Sequence, residues 1–108
     1  MDHRIQVVLE MISRDVRNAP KPAKIAGEIG LSLSQFYNLF RKDTGTVPAK
    51  YIRTLRYEKA RELLVNSQLS VKEITGLVGV CDVSHFVRDF RKFYGSSPGD
   101  FRRAHRAV

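Results

Sequence analysis

Residues Leu33 to Arg53 read LSQFYNLFRKDTGTVPAKYIR, and fifty positions further on Val83 to Arg103 read VSHFVRDFRKFYGSSPGDFRR. Identities fall at Ser34/Ser84, Phe36/Phe86, Phe40/Phe90, Arg41/Arg91, Lys42/Lys92, Gly45/Gly95, Pro48/Pro98 and Arg53/Arg103. Upstream, with one residue fewer in the first copy, Ile25 pairs with Ile74 and Gly30 with Gly79. Self-similarity at a fixed offset means that one supersecondary unit is used twice.

The unit is punctuated as helix, tight turn, helix. In the first copy Pro22 suits a helix start, Ile25, Ala26 and Ile29 form an apolar set, and Gly30 ends the helix in a left-handed residue. Ser32-Leu33-Ser34-Gln35 then has the form of a capping box and opens a second helix. Leu33, Phe36, Leu39 and Phe40 are expected to line one face of it, and Gly45 closes it. In the second copy Ser70-Val71-Lys72-Glu73 is a capping box, Ile74, Leu77 and Val78 are apolar, and Gly79 ends the helix. Asp82 caps the next helix, whose expected apolar face is Phe86, Phe90 and Phe93. Each copy is thus a helix-turn-helix unit.

Outside the two units, Pro48 starts a long helix through about Asn66, with Ile52, Leu55, Ala60, Leu63 and Leu64 on its buried side. At 1.5 Å per residue it would span roughly 28 Å. That approaches the ~34 Å between equivalent faces of successive DNA turns, so such a helix is expected to hold two reading helices in register with one duplex face. Ile5, Val8, Leu9, Ile12 and Val16 are in helical phase and predict an N-terminal helix over 5–16. Pro98 starts a short last helix with Phe101 inward. The expected fold is all-α: seven helices, with a first helix-turn-helix subdomain over 1–47, a linker helix over 48–66 and a second subdomain over 67–108.

Composition bounds the partners. The 108 residues suit one domain, and 43% hydrophobic with 28% charged residues suits a packed body. Nineteen Lys and Arg against eleven Asp and Glu leave a net charge of +8. Such an excess favours a polyanion, and nucleic acid uses it through displaced counterions, although charge alone would also suit an anionic membrane surface. No apolar run reaches the ~18 residues of a membrane span, and no signal peptide is evident, so a cytoplasmic location and no membrane partner are expected. The single cysteine, Cys81, allows no intrachain disulfide and no multi-cysteine zinc site. Cys81 and His85 are four apart, the spacing of a thiolate–imidazole pair, but the expected reading of Cys81 is a small, buried, inert thiol in the turn. No phosphate-cradling glycine loop, hydrolase elbow or paired carboxylates are present. Neither catalysis, nor a metal, nor a cofactor is expected.

The residues also resemble a known family. Ile25-Ala26 to Gly30-Leu31-Ser32, the run Tyr51, Arg56, Ala60, Leu63 and Leu64, and the closing Phe90-Arg91-Lys92, Gly95, Pro98 and Phe101-Arg102 are similar to the DNA-binding domain of the AraC/XylS transcription regulators of bacteria. The resemblance covers nearly the whole chain. Thr75 stands where that family usually has alanine, Val80 where an aromatic is usual, and Asn38 where many members carry arginine. What the resemblance implies is a sequence-specific, double-stranded-DNA-binding transcription regulator whose second helix in each unit enters the major groove. Carried onto this chain, the base-reading positions are Ser34, Gln35, Tyr37 and Asn38 in the first unit and Ser84, His85 and Arg88 in the second.

Periodicity places these residues away from the phenylalanine faces, and their chemistry suits the role. Arg88 can pair with guanine O6 and N7, Gln35 and Asn38 with adenine N6 and N7, and His85 or Tyr37 with a base edge or phosphate. Arg41, Lys42, Arg91 and Lys92 suit phosphates, with Arg53 and Arg103 as further candidates. The second unit, with Arg88 and His85, is expected to read bases more strongly than the first, where Asn38 replaces a usual arginine. The rival expectation is a protein-interaction module whose basic face meets an acidic partner such as RNA polymerase. The isolated domain is expected to be a monomer, and a fragment of a longer regulator with a sensor domain is favoured over a complete short regulator.

Overall fold

The computed structural model describes residues 1–106, and within them the chain forms seven α-helices, one 3-10 turn and no strand. The helices are α1 (His3–Arg14), α2 (Pro22–Glu28), α3 (Leu33–Thr44), α4 (Pro48–Asn66), α5 (Val71–Val78), α6 (Val83–Tyr94) and α7 (Pro98–His105). Two compact units divide the chain, Met1–Leu55 and the part from Arg56 onward.

Local chemistry sets most helix boundaries. Ser32 and Ser70 both form complete capping boxes, with Gln35 and Glu73 returning to the cap backbone at 2.9 and 3.0 Å. Ser97 and Asp82 cap α7 and α6. At the other ends the repeat reappears as backbone geometry. After α2 the N–H of Leu31 reaches Ala26 O and that of Gly30 reaches Gly27 O, and after α5 Val80 and Gly79 do the same to Thr75 and Gly76. This is the Schellman closure in both copies. After α3 and α6, Gly45 and Gly95 sit at φ 78° and 80° and bond Arg41 O and Arg91 O at 2.8 Å. A Cβ at either position would meet the following carbonyl, so glycine is the residue that fits.

In the first unit Ile5, Val8 and Ile12 of α1, Ile25 and Ala26 of α2, Phe36 and Phe40 of α3 and Ile52 of α4 form one buried cluster. Phe40 meets Phe36 and Tyr51 edge-on at 5.7 and 5.5 Å, the arrangement that ring quadrupoles favour. The backbone N–H of Asp2 donates to Asp43 at 2.8 Å, tying the start of α1 to α3. In the second unit Tyr57, Ala60 and Leu64 of α4, Ile74 and Val78 of α5, Phe86 and Phe90 of α6 and Phe101 of α7 form the other cluster. Thr75 is buried as well, but its hydroxyl donates to Val71 O at 2.8 Å, so a hydroxyl in an alanine-like position leaves no orphan group.

Several expectations are corrected. The first helix stops at Arg14, because Asp15 leaves helical geometry and its carboxylate accepts from Asn18 N, placing Val16 in a separate 3-10 turn (Val16–Asn18). Leu33, Leu77 and Phe93 are exposed. Leu33 and Phe93 lie in terminal turns, where the core has little left to cover them, although Phe93 still stacks on Tyr57 at 4.8 Å. Leu77 lies off the buried face that Ile74, Thr75 and Val78 define. Cys81 is exposed rather than buried.

Capping carboxylates are expected to make stability acid-sensitive. Asp2, hydrogen-bonded by the Arg4 side chain and backbone N–H, is held at about 2 against an ordinary 3.8. The backbone N–H of His85 lowers Asp82. A depressed folded-state pKa contributes stability above the unfolded value that is lost as pH falls through the folded one. Melting temperature is therefore expected to decline as pH drops from about 4 towards 2. Asp82→Asn, which caps without titrating, is expected to flatten part of that decline. Melts of both proteins across this range check it; identical acid limbs would remove Asp82 from the account.

Candidate nucleic-acid interface

The same residues that cap and pack α3 and α6 decide which side chains are left outside. In α3, Phe36 and Phe40 face inward, so Ser34, Asn38 and Arg41, spaced four and three apart, form an exposed strip with Lys42 beside it. In α6 the inward Phe86 and Phe90 leave the equivalent strip Ser84, Arg88 and Arg91, again with Lys92 beside it. A shallow depression on α6 is lined by Val83, Ser84, Val87, Arg88, Arg91 and Lys92. Four expected residues are therefore brought together on one surface, beside two valines not expected there. Valines four apart, in helical phase beside Ser84 and Arg88 and off the phenylalanine face, were the available signal.

Three other expected residues are placed differently. Tyr37 is half-buried, its ring stacked at 6.3 Å on Phe36. Gln35 is exposed, but its Oε1 accepts from Ser32 N at 2.9 Å in the capping box, which fixes the direction of the amide. His85 occupies the equivalent position in α6 and is also engaged. Its Nε2 lies 3.0 Å from Asp89 Oδ2 and its Nδ1 lies 3.0 Å from Arg88 Nη2. The Cys81–His85 pairing is not formed; Cys81 Sγ lies 3.7 Å from Asp82 Oδ2 instead. Asp89 was missed, although one acid inside the run Arg88 to Lys92, four residues after His85, was legible as a partner for it. Of the further phosphate candidates, Arg53 is exposed and Arg103 pairs with Asp100 on its own helix.

The surface is chemically suited to a polyanion carrying readable groups. Arg88 is 62% exposed, and Arg41, Lys42, Arg91 and Lys92 are exposed around the two strips. Guanidinium and ammonium groups meet phosphates, and the planar fork of an arginine such as Arg88 also matches guanine O6 and N7. Val83 and Val87 add apolar surface of the kind that contacts the thymine methyl group.

Known proteins share both the sequence and this architecture. The sequence profile of the helix-turn-helix domain family matches residues 25–104. The transcriptional activator NphR of a Rhodococcus species is 36% identical over 105 residues, which is 97% of this chain and 30% of that protein. The chain thus spans about 30% of the length of the curated relatives it matches. The DNA-binding domain of AdpA, a global transcriptional factor crystallised with a target DNA, superposes with a TM-score of 0.89 and 27% identity, covering 95% of this chain and 93% of that one. A regulator with an AraC-type DNA-binding domain from Chromobacterium violaceum gives 0.86 and 26%, covering 94% and 91%. With a duplicated helix-turn-helix, seven helices and these relatives, the chain belongs to the AraC/XylS-type family of helix-turn-helix DNA-binding domains.

Proposed function

We propose that this domain reads double-stranded DNA through α6 above all, with Arg88 as its principal base-reading residue, and that it does so as part of transcription regulation in the bacterial cytoplasm. The observation that carries the reading is the depression on α6 where Ser84, Arg88, Arg91 and Lys92 converge. AdpA's domain, of the same architecture, was crystallised on its target DNA, which supports the same class of ligand here. Within the proposal Arg88 pairs with a guanine, Val83 and Val87 meet thymine methyl groups beside it, and Arg91 and Lys92 hold phosphates. In α3, Ser34 and Asn38 read and Arg41 and Lys42 anchor. Asn38 favours adenine, and Gln35 and Tyr37 contribute less because the capping box and the stacking on Phe36 restrain them. The domain acts as a monomer on two successive major-groove segments.

Base readers and phosphate anchors lose function in different ways, which supplies the test. Arg88→Ala is expected to cost about 1–3 kcal/mol on the preferred duplex and to relax preference at one base position. Lys92→Ala is expected to weaken all duplexes alike and to reduce the slope of log affinity against log salt by about 1. Selection from a random duplex library at fixed salt, followed by titration, measures both. An Arg88→Ala protein with unchanged affinity and preference would sink the reading.

A further inference from the structure

Two of the three side chains expected to read bases in the second unit, His85 and Arg88, are tied to each other. His85 Nε2 and Asp89 Oδ2 are 3.0 Å apart, Arg88 Nη2 and His85 Nδ1 are 3.0 Å apart, and Arg88 Nε lies 3.7 Å from Asp89 Oδ1. The Tyr57 hydroxyl of α4 donates to the same Asp89 Oδ2 at 3.4 Å. Tyr57 is itself fixed, buried and stacked on Phe86 and Phe93 at 5.5 and 4.8 Å. Exposure rises along the chain of contacts, from 16% for the Asp89 side chain through 43% for His85 to 62% for Arg88. An anchored carboxylate at the base of α6 therefore holds an imidazole, and the imidazole holds the guanidinium at the surface.

Donor and acceptor chemistry allows one arrangement. An ionised carboxylate only accepts, so His85 Nε2 carries the proton. In a neutral ring Nδ1 is then a lone pair, which is what an arginine N–H, a donor only, requires. The Nε and Nη2 side of Arg88 is used in this way, and the two N–H groups of Nη1 and one of Nη2 take no part. Arginine has large rotamer freedom, and a guanidinium already directed before encounter gives up less of it on binding.

We infer that Asp89 is a specificity-determining positioning residue: through the Nε2–H tautomer of His85 it sets where the Arg88 guanidinium lies, and so how sharply one base is chosen. The inference rests on the reading of Arg88 as the base contact. It recasts His85 as the support of a reader rather than a reader.

The test compares Asp89→Asn, Arg88→Ala and the double variant in selection from a random duplex library at fixed salt. The amide keeps the shape of the carboxylate but turns one oxygen into a donor and removes the charge. Asp89→Asn is expected to reduce preference roughly 3- to 10-fold at the base position that Arg88→Ala flattens, to leave other positions alone, and to add nothing in the Arg88→Ala background. Unchanged preference at that position in Asp89→Asn, or an effect fully additive with Arg88→Ala, overturns the positioning role while leaving Arg88 as reader. An Arg88→Ala protein with intact preference overturns both. Independently of any variant, ring nitrogen chemical shifts of His85 in the unmodified domain at about pH 8, above the ordinary histidine range, are expected to show protonated Nε2 and bare Nδ1. The opposite tautomer overturns the inference.

Discussion

Phe90→Ala is expected to lower the stability of the second unit by about 3–5 kcal/mol, the cost of deleting a fully buried ring whose surroundings relax only in part. Phe90 has no exposed surface and packs against Phe86 at 5.9 Å, Tyr94 at 4.7 Å and Phe101 at 5.4 Å. It therefore joins two turns of α6 to α7 through aromatic contacts that an aliphatic side chain would fill only partly. Against a total stability on the order of 5–15 kcal/mol, such a loss leaves little margin. Phe90→Leu, which keeps much of the volume, is expected to cost clearly less. Urea unfolding with hydrogen exchange at α5 to α7 amides checks the pair. A loss below about 1 kcal/mol for the alanine variant would mean that the cluster can repack.

Arg102→Ala is expected to cost about 2–4 kcal/mol, unusually much for an arginine. Its Nε donates to Leu64 O at 2.9 Å, and its Nη2 donates to Leu69 O at 2.6 Å and Ser67 O at 3.4 Å. Leu64 lies in the last turn of α4, where carbonyls have no partner within the helix and where a positive charge meets the negative end of the helix dipole. One guanidinium thus closes α4 and pins the 67–69 connection to α7. Charged hydrogen bonds contribute about 1.5–3 kcal/mol each, but half-burial lets water replace part of them, which places the sum at the lower end. Arg102→Lys is expected to recover little, since a single ammonium cannot span three carbonyls with the geometry of a fork. A lysine variant with the wild-type urea midpoint would show that charge alone, not the fork, does the closing.

Where helix boundaries depend on nearby residues, they were legible in the sequence. Pro22, Ser32, Pro48, Ser70, Asp82 and Pro98 begin or cap helices as expected, because a cap is satisfied within three residues of itself. The phenylalanine faces of α3 and α6 followed from helical spacing, and the duplication checked one copy against the other. Apart from the local stop of α1 at Asp15, what stayed hidden depends on contacts between helices. Tyr57 is among the most buried side chains, yet nothing in its neighbourhood marks it out from Tyr51. Arg102 looks like any basic residue of a basic chain until Leu64, Ser67 and Leu69 are placed around it. The candidate site divides in the same way. The strips Ser34/Asn38/Arg41 and Ser84/Arg88/Arg91, the Gln35 cap and the His85–Asp89 spacing follow from local sequence, whereas the bond from Tyr57 to Asp89 joins α4 to α6 and did not.

The matched closures at Gly45 and Gly95 bear on how such a domain diverges over generations. Conformation at those joints restricts the residue that fits, while exposed strip positions on α3 and α6 carry little fold duty, and substitutions at such sites usually change stability by no more than about 0.5 kcal/mol. A lineage can then exchange side chains along either strip one at a time without passing through an unfolded intermediate. The two units can accept such exchanges independently, so long as their closing glycines and their capping serines or aspartate stay fixed.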